Sequence, residues 1–281
     1  MLLMTALAVG CNTSEVAEEA DPDVENAPPE TEAATTTDEV ETGTGTLQLV
    51  ANGEDFVRQG FTTKDGWDIT FDRVLVTLAN VEAHQTEPPY DPDSDDELQA
   101  IETITLVAAP ETIDLAAGDA EAEPILVSEE DVPGGQYNAL SWDVVVAESG
   151  EAEGAAIALF GQASKDGRTL DFALRLDEPL SYTCGEFVGD ERKGIVKADA
   201  NANVEATLHF DHIFGDAELA ADDELNAGAL GFEPLAALAE GDTVEADSAR
   251  LAAELDAAAY EQLTAAIASL GHVGEGHCKL N

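Results

Sequence analysis

The sequence has few basic residues, and this shortage excludes one large class of partner. Only 11 of its 281 residues are Lys or Arg, against 60 Asp or Glu, so the formal net charge at pH 7 is −49. A surface of this charge repels the phosphates of nucleic acids and anionic lipid headgroups. We therefore exclude nucleic-acid binding. The acidic excess is typical of a protein adapted to high salt, as in a halophile, where screening removes most of the self-repulsion.

Recognisable enzyme motifs are also missing from the chain. It contains no Gly-x-Ser-x-Gly elbow, no His-Glu-x-x-His pair and no glycine-rich nucleotide or phosphate loop. We therefore expect a binding protein and not an enzyme. The enzymatic alternative is a metal-dependent hydrolase in which Glu275 would act as the base.

The first residues form an apolar stretch that ends at a cysteine. Residues 1–10 carry no charged side chain, and the small residues Ala8 and Gly10 stand just before Cys11. This arrangement resembles the lipobox of bacterial lipoproteins, in which the signal peptide is removed and the cysteine receives lipid. The resemblance implies a signal peptide over residues 1–10, a membrane anchor on Cys11, and a place in the cell envelope, either periplasmic or at the outer-membrane surface. The basic residues that open such signals are absent, which predicts a natural start further upstream.

The segment after Cys11 has the composition of a tether. Residues 12–43 are mainly Glu, Asp, Thr, Pro and Ala, without apolar periodicity. Such a segment cannot bury enough surface to offset the entropy lost on ordering. We expect residues 11–44 to be a disordered acidic tether and residues 45–281 to form a single domain.

Short apolar or β-branched stretches separated by turn residues follow along this domain. About ten of them, with a hairpin turn at Lys165-Asp166-Gly167-Arg168, predict a mainly β fold, an antiparallel β-sandwich. Helices are expected in about 215–270 as a C-terminal appendage: residues 217–225, residues 233–238, and one helix over 247–270 that ends at Gly271. The strand at Trp67 and the segment 132–137 resemble parts of bacterial β-sandwich envelope lipoproteins, which implies a fold but no function.

Two cysteines remain beyond the anchor, Cys184 and Cys278. In an oxidising compartment an even pair usually forms a disulfide, and we predict that these two are joined. The alternative is that both are thiolate ligands of a metal ion.

The histidines are few and unevenly placed. His84 stands alone and is predicted to lie on the surface, while the other four form two short groups. Imidazole is the commonest metal-binding side chain, and histidines three apart can converge on one ion. We therefore predict one transition-metal site, with zinc as the first choice of ion and copper as the second. Its candidate ligands are four histidines and three acidic residues: His209, His212, His272, His277, Asp211, Asp216 and Glu275.

Two alternatives stay open beside this prediction. The histidines could be ordinary loop residues of a structural or adhesive envelope lipoprotein that presents its sandwich to an unknown protein or glycan. Separately, residues 91–102 imitate the spacing of a calcium-binding EF-hand loop, but Asp96 stands where the turn needs glycine. A solvated acidic loop is the favoured interpretation of that segment.

Overall fold

The strands of this protein form two main sheets that share one hydrophobic core. The computed structural model describes residues 43–281, which belong to one compact unit. The predicted signal peptide, the predicted lipidation site at Cys11 and the predicted tether up to residue 42 lie outside the described residues. No helix in the described range is long and apolar enough to cross a membrane.

The strands and helices alternate along the chain in an order dominated by strands. The strands are β1 (Thr44–Asn52), β2 (Phe61–Thr62), β3 (Asp68–Thr86), β4 (Ala100–Val107), β5 (Glu111–Asp114), β6 (Ile125–Pro133), β7 (Gly135–Gln136), β8 (Ala139–Val144), β9 (Ile157–Lys165), β10 (Arg168–Leu176), β11 (Leu180–Cys184), β12 (Ile195–Val196), β13 (Asn201–Leu208), β14 (Thr243–Asp247), β15 (Gly271–Val273), β16 (Gly276–His277) and β17 (Lys279–Leu280). The helices are α1 (Glu54–Gln59), α2 (Asp211–Phe214), α3 (Glu224–Gly228), α4 (Glu233–Ala236), α5 (Ser248–Glu254) and α6 (Ala257–Ala268).

The smaller main sheet has the strand order β16-β15-β13-β1-β6. The larger one has the order β14-β10-β9-β3-β8-β11-β17, with β2, β4 and β5 also paired to β3, and β7 and β12 form a separate pair. Side chains alternate between buried and more exposed along strands such as β10 and β11, as expected for sheets with one face in the core. Leu49 of β1 and Trp142 of β8 belong to the same hydrophobic cluster. The predicted mainly β, sandwich-like fold is confirmed.

Two strand pairs are parallel, which the antiparallel prediction did not include. β1 lies parallel to β13, and β10 lies parallel to β14. The predicted hairpin between β9 and β10 is present, with positive φ angles of 53° at Asp166 and 82° at Gly167. The parallel pair β1/β13 matters most for function, because both strands then end at the same edge of their sheet.

The helical part differs from the prediction in three ways. Helices α1 and α2 lie outside the expected range of 215–270, the helix expected over 217–225 is replaced by α3 over Glu224–Gly228, and the expected helix over 247–270 is divided. The division occurs because Asp256 caps α6: its Oδ1 accepts hydrogen bonds from the backbone N–H groups of Ala258 and Ala259. Gly271 does not end a helix but begins β15, where an added Cβ would lie 2.6 Å from the ring of Tyr182.

The predicted disulfide between Cys184 and Cys278 is confirmed. Cys184 ends β11 in the larger sheet, and Cys278 lies between β16 of the smaller sheet and β17 of the larger one. The bond therefore fixes the point at which the C-terminal segment passes from one sheet to the other.

The prediction that His84 lies on the surface is wrong. Its side chain is buried in β3, with Nδ1 3.0 Å from Thr103 Oγ1 and Nε2 2.9 Å from Ser141 Oγ. Burial lowers the pKa of His84. His84 does not end its strand, because β3 continues to Thr86. Its imidazole lies between the hydroxyls of β4 and β8 and not in solvent.

Candidate metal centre

One edge of the smaller sheet presents the first histidine group. β13 ends at Leu208, and the backbone N–H of His209 then donates a 3.0 Å hydrogen bond to the carbonyl of Leu270. The chain turns at once into α2, with a 3.2 Å bond from the N–H of His212 to the carbonyl of His209. This single turn places both imidazoles beside the same sheet edge.

The second histidine group lies on a hairpin made by β15 and β16. His272 is in register with Thr207 of β13 on one side and with His277 of β16 on the other. The hairpin turns at Gly274, where φ is 59° and the backbone N–H donates to Thr207 Oγ1 over 3.1 Å. Glycine at this position allows the tight turn between the two strands.

The four histidine rings meet in one place. His209 and His272 stack with ring centroids 4.0 Å apart, and His212 stands edge-on to His272 at 5.0 Å. His277 lies 4.4 Å from His272 and 6.0 Å from His212. His209, His212 and His272 each offer one nitrogen, and these nitrogens lie within 4.8 Å of one another. This triad could hold a metal ion.

Three nitrogens of the triad have no hydrogen-bond partner in the part of the chain that the structure describes. Among residues 43–281, six buried side-chain nitrogen or oxygen atoms lack a hydrogen-bond partner, and four of them belong to His209, Asp211 and His272. His272, only 2% exposed, has both ring nitrogens in this state. Leaving a buried polar atom unpaired costs about 1–3 kcal/mol, and a bound water molecule or ion would remove this cost.

The hydrogen bond of His212 fixes which of its nitrogens is available. Its Nδ1 lies 2.9 Å from Ser269 Oγ, and that hydroxyl donates its one proton to the carbonyl of Ala266 over 3.0 Å. Ser269 must therefore accept from Nδ1–H, which leaves the lone pair on Nε2 of His212. A histidine that ligates a metal commonly donates its other N–H in this way.

Burial keeps the triad in the neutral form that binds metals. Burial and the neighbouring histidines lower the pKa of His272 to about 2, and burial with the charge of His212 lowers that of His209 to about 4. The pKa of His212 is lowered for the same reasons. All three imidazoles are therefore unprotonated at neutral pH.

Two carboxyl groups flank the triad. Glu54 Oε1 lies 3.6 Å from His209 Nε2, and Asp211 Oδ1 lies 4.0 Å from His209 Nδ1. Burial raises the pKa of Glu54 to about 7, with added effects of Glu205 and Glu275, and burial raises that of Asp211 to about 6. Within residues 43–281 neither carboxyl group forms an ion pair with Lys or Arg, and a divalent cation in the triad would supply a compensating charge.

Sequence reasoning missed Glu54. It follows β1 at the start of α1, some 155 positions before His209. The two residues meet because β1 and β13 are parallel and end at one edge, and the sequence alone carries no signal for that pairing. The one local signal was the turn sequence Asn52-Gly53 at the end of β1, which indicates a turn but not its partner strand.

The remaining predicted ligands lie at the margin of the site. Asp216 forms a turn, with Oδ1 accepting from the N–H of Glu218 over 2.7 Å, and its own N–H bonds to Asn226. Glu275 is exposed at the hairpin turn, where its N–H donates to the carbonyl of Val188. Neither belongs to the group of converging ligand atoms.

An open cleft of about 440 Å³ borders the histidine group, and His212 and the exposed His277 are among the residues that line it. The other lining residues belong to α3, to α6 and to the position just after α6: Glu224, Leu225, Gly228, Ala265, Ala266 and Ser269. Of the triad, His212 is therefore the residue that a solute in the cleft can contact.

Comparisons of the chain with known protein families, with curated proteins and with solved structures found no match. Any function must therefore be argued from the site itself.

Proposed function

We propose that this protein is a lipid-anchored protein of the cell envelope that binds one divalent transition-metal ion, zinc or copper, at His209, His212 and His272. The observation that carries the proposal is the convergence of three imidazoles, two of which, His209 and His272, have buried nitrogens without a hydrogen-bond partner among the described residues. Nitrogen ligands of this kind suit Zn²⁺ and Cu²⁺. Binding, buffering or delivery of the ion is the proposed role, and not catalysis.

The proposed envelope location is supported by two features far apart in the chain. Cys11 follows the apolar segment 1–10, and the disulfide between Cys184 and Cys278 suits an oxidising compartment. The test is a Cys11→Ser variant expressed in the cell that makes the protein. We expect its release from the membrane fraction, whereas persistence there would contradict the anchor.

Metal binding is tested by elemental analysis of the full chain, purified in high salt without a histidine tag. We expect close to one equivalent of zinc or copper in the wild type. His209→Ala and His272→Ala should lose it, because each removes a converging nitrogen. His84→Asn is the matched control, since this buried histidine lies outside the triad. A protein that takes up no added ion, or binding that survives both triad variants, would overturn the proposal and favour a structural envelope lipoprotein.

A further inference from the structure

The backbone of Glu54 has an energetically unfavourable conformation. Its φ is 62°, in the left-handed region that side chains other than glycine rarely adopt. Non-glycine residues in such conformations persist where the surroundings enforce them, and they concentrate at functional sites. Glu54 is also half-buried beside the unpartnered Nε2 of His209.

A network of partly buried polar groups supports this conformation. The N–H of Glu54 donates to Asn52 Oδ1 over 3.1 Å, and Asn52 Nδ2 donates to Glu205 Oε1 over 2.9 Å. Glu205 is itself buried and paired with Lys193. At Gly53 an added Cβ would lie 2.9 Å from Val57 Cγ2, so the backbone before Glu54 is closely packed. These contacts place the Glu54 carboxylate at the edge of the smaller sheet where β13 ends and His209 follows.

Charge also favours a carboxylate at this place. Three neutral imidazoles leave the full double charge of a divalent ion uncompensated in a largely buried site, which is unfavourable. Among the described carboxylates, Glu54 is the closest to a triad nitrogen, at 3.6 Å, although it is not one of the three converging ligands, whereas His277 is exposed.

We propose that Glu54 is the fourth metal ligand, so that the ion is held by three imidazole nitrogens and one carboxylate oxygen, with His277 outside the required set. This inference rests on the proposed metal-binding function. It also sets the selectivity of the site: an oxygen ligand favours Zn²⁺ or Cu²⁺ over Cu⁺, which prefers the sulfur of cysteine or methionine.

The test is the zinc affinity of the full chain, measured in high salt by competition with a chromogenic chelator. Glu54→Gln keeps the size of the side chain but removes the anionic ligand, so we expect the affinity to fall by about 100-fold or more. Asp55→Asn is the matched control, because it removes the same charge from the next residue, which is exposed. Asp55→Asn and His277→Ala should stay within about threefold of the wild type.

The visible spectrum of the Co²⁺-loaded protein provides a second measurement. It should change between the wild type and Glu54→Asp, which keeps the carboxylate but shortens its reach, and remain the same in Asp55→Asn. If the wild type binds zinc stoichiometrically and Glu54→Gln binds it as tightly, Glu54 is not a ligand, although the metal site stands. If the wild type binds no zinc, copper or cobalt, the proposed function fails, and this inference fails with it.

Discussion

His209 and His272 stack with their ring centroids 4.0 Å apart and their planes inclined by 17°. One ring follows β13 and the other lies on β15, the strand paired with it. Two buried imidazoles so close cannot both be positively charged. Burial lowers the pKa of each ring, and the neighbouring His209 lowers that of His272 further. The stack thus preserves two lone pairs for an ion.

The triad should be a source of instability in the metal-free protein. His272→Leu removes two buried nitrogens that have no partner, so we expect the free energy of unfolding without metal to rise by about 1 kcal/mol. His84→Leu is the matched control, since it leaves the hydroxyls of Thr103 and Ser141 without their bonds and should destabilise by about 1–3 kcal/mol. Urea unfolding after chelator treatment measures both. Equal losses in the two variants would contradict the distinction between a ligand and a structural histidine.

The disulfide should contribute strongly to stability. Cys184 and Cys278 are 94 positions apart, and closing a loop of that length stabilises by about 4–5 kcal/mol on the chain-entropy model. We expect the double variant Cys184→Ser/Cys278→Ser to lose most of this amount in urea unfolding. Reductant should lower the midpoint of the wild type and leave that of the double variant unchanged. A wild-type midpoint that does not respond to reductant would contradict the prediction.

The stability of the protein should fall in mild acid through His84. Its pKa is lowered by burial, with an opposing effect of Glu82, while the unfolded chain takes up a proton near the ordinary value of 6.5. The unfolded state therefore binds more protons below about pH 6.5, and each pH unit in that window costs up to about 1.4 kcal/mol. Other groups titrate there too, so the measured quantity is the difference between the wild type and His84→Gln. This difference should shrink as the pH falls from about 8 to about 5. A difference that stays constant across the range would mean that His84 titrates normally.

The acidic surface should make stability depend on salt. With a formal charge of −49, self-repulsion is relieved as the screening length falls from about 10 Å at 0.1 M to about 3 Å at 1 M salt. We expect the melting temperature to rise between these concentrations, and to rise equally in KCl and NaCl, because screening does not depend on which monovalent cation is present. A melting temperature that is independent of salt would remove the argument for adaptation to a saline habitat.

Local patterns in the sequence were enough to predict the fold class, the hairpin at Asp166-Gly167 and the pairing of Cys184 with Cys278. These features depend on neighbouring residues, on the alternation of apolar side chains or on the chemistry of an isolated pair. The sequence also contained a local signal for the division of the long helix, because Asp256 can cap a new helix. The prediction gave more weight to the apolar periodicity across this position.

The sequence also supplied the chemistry of the site, because its two histidine groups are rare features in a chain with five histidines. Only the tertiary structure decided that they meet, and that Glu54 lies beside them while Asp216 and Glu275 lie at the margin. The parallel pairing of β1 with β13, and the register of His272 against Thr207, bring these residues together. Such pairings are set by the burial of whole strands across long sequence separations, which no local pattern encodes.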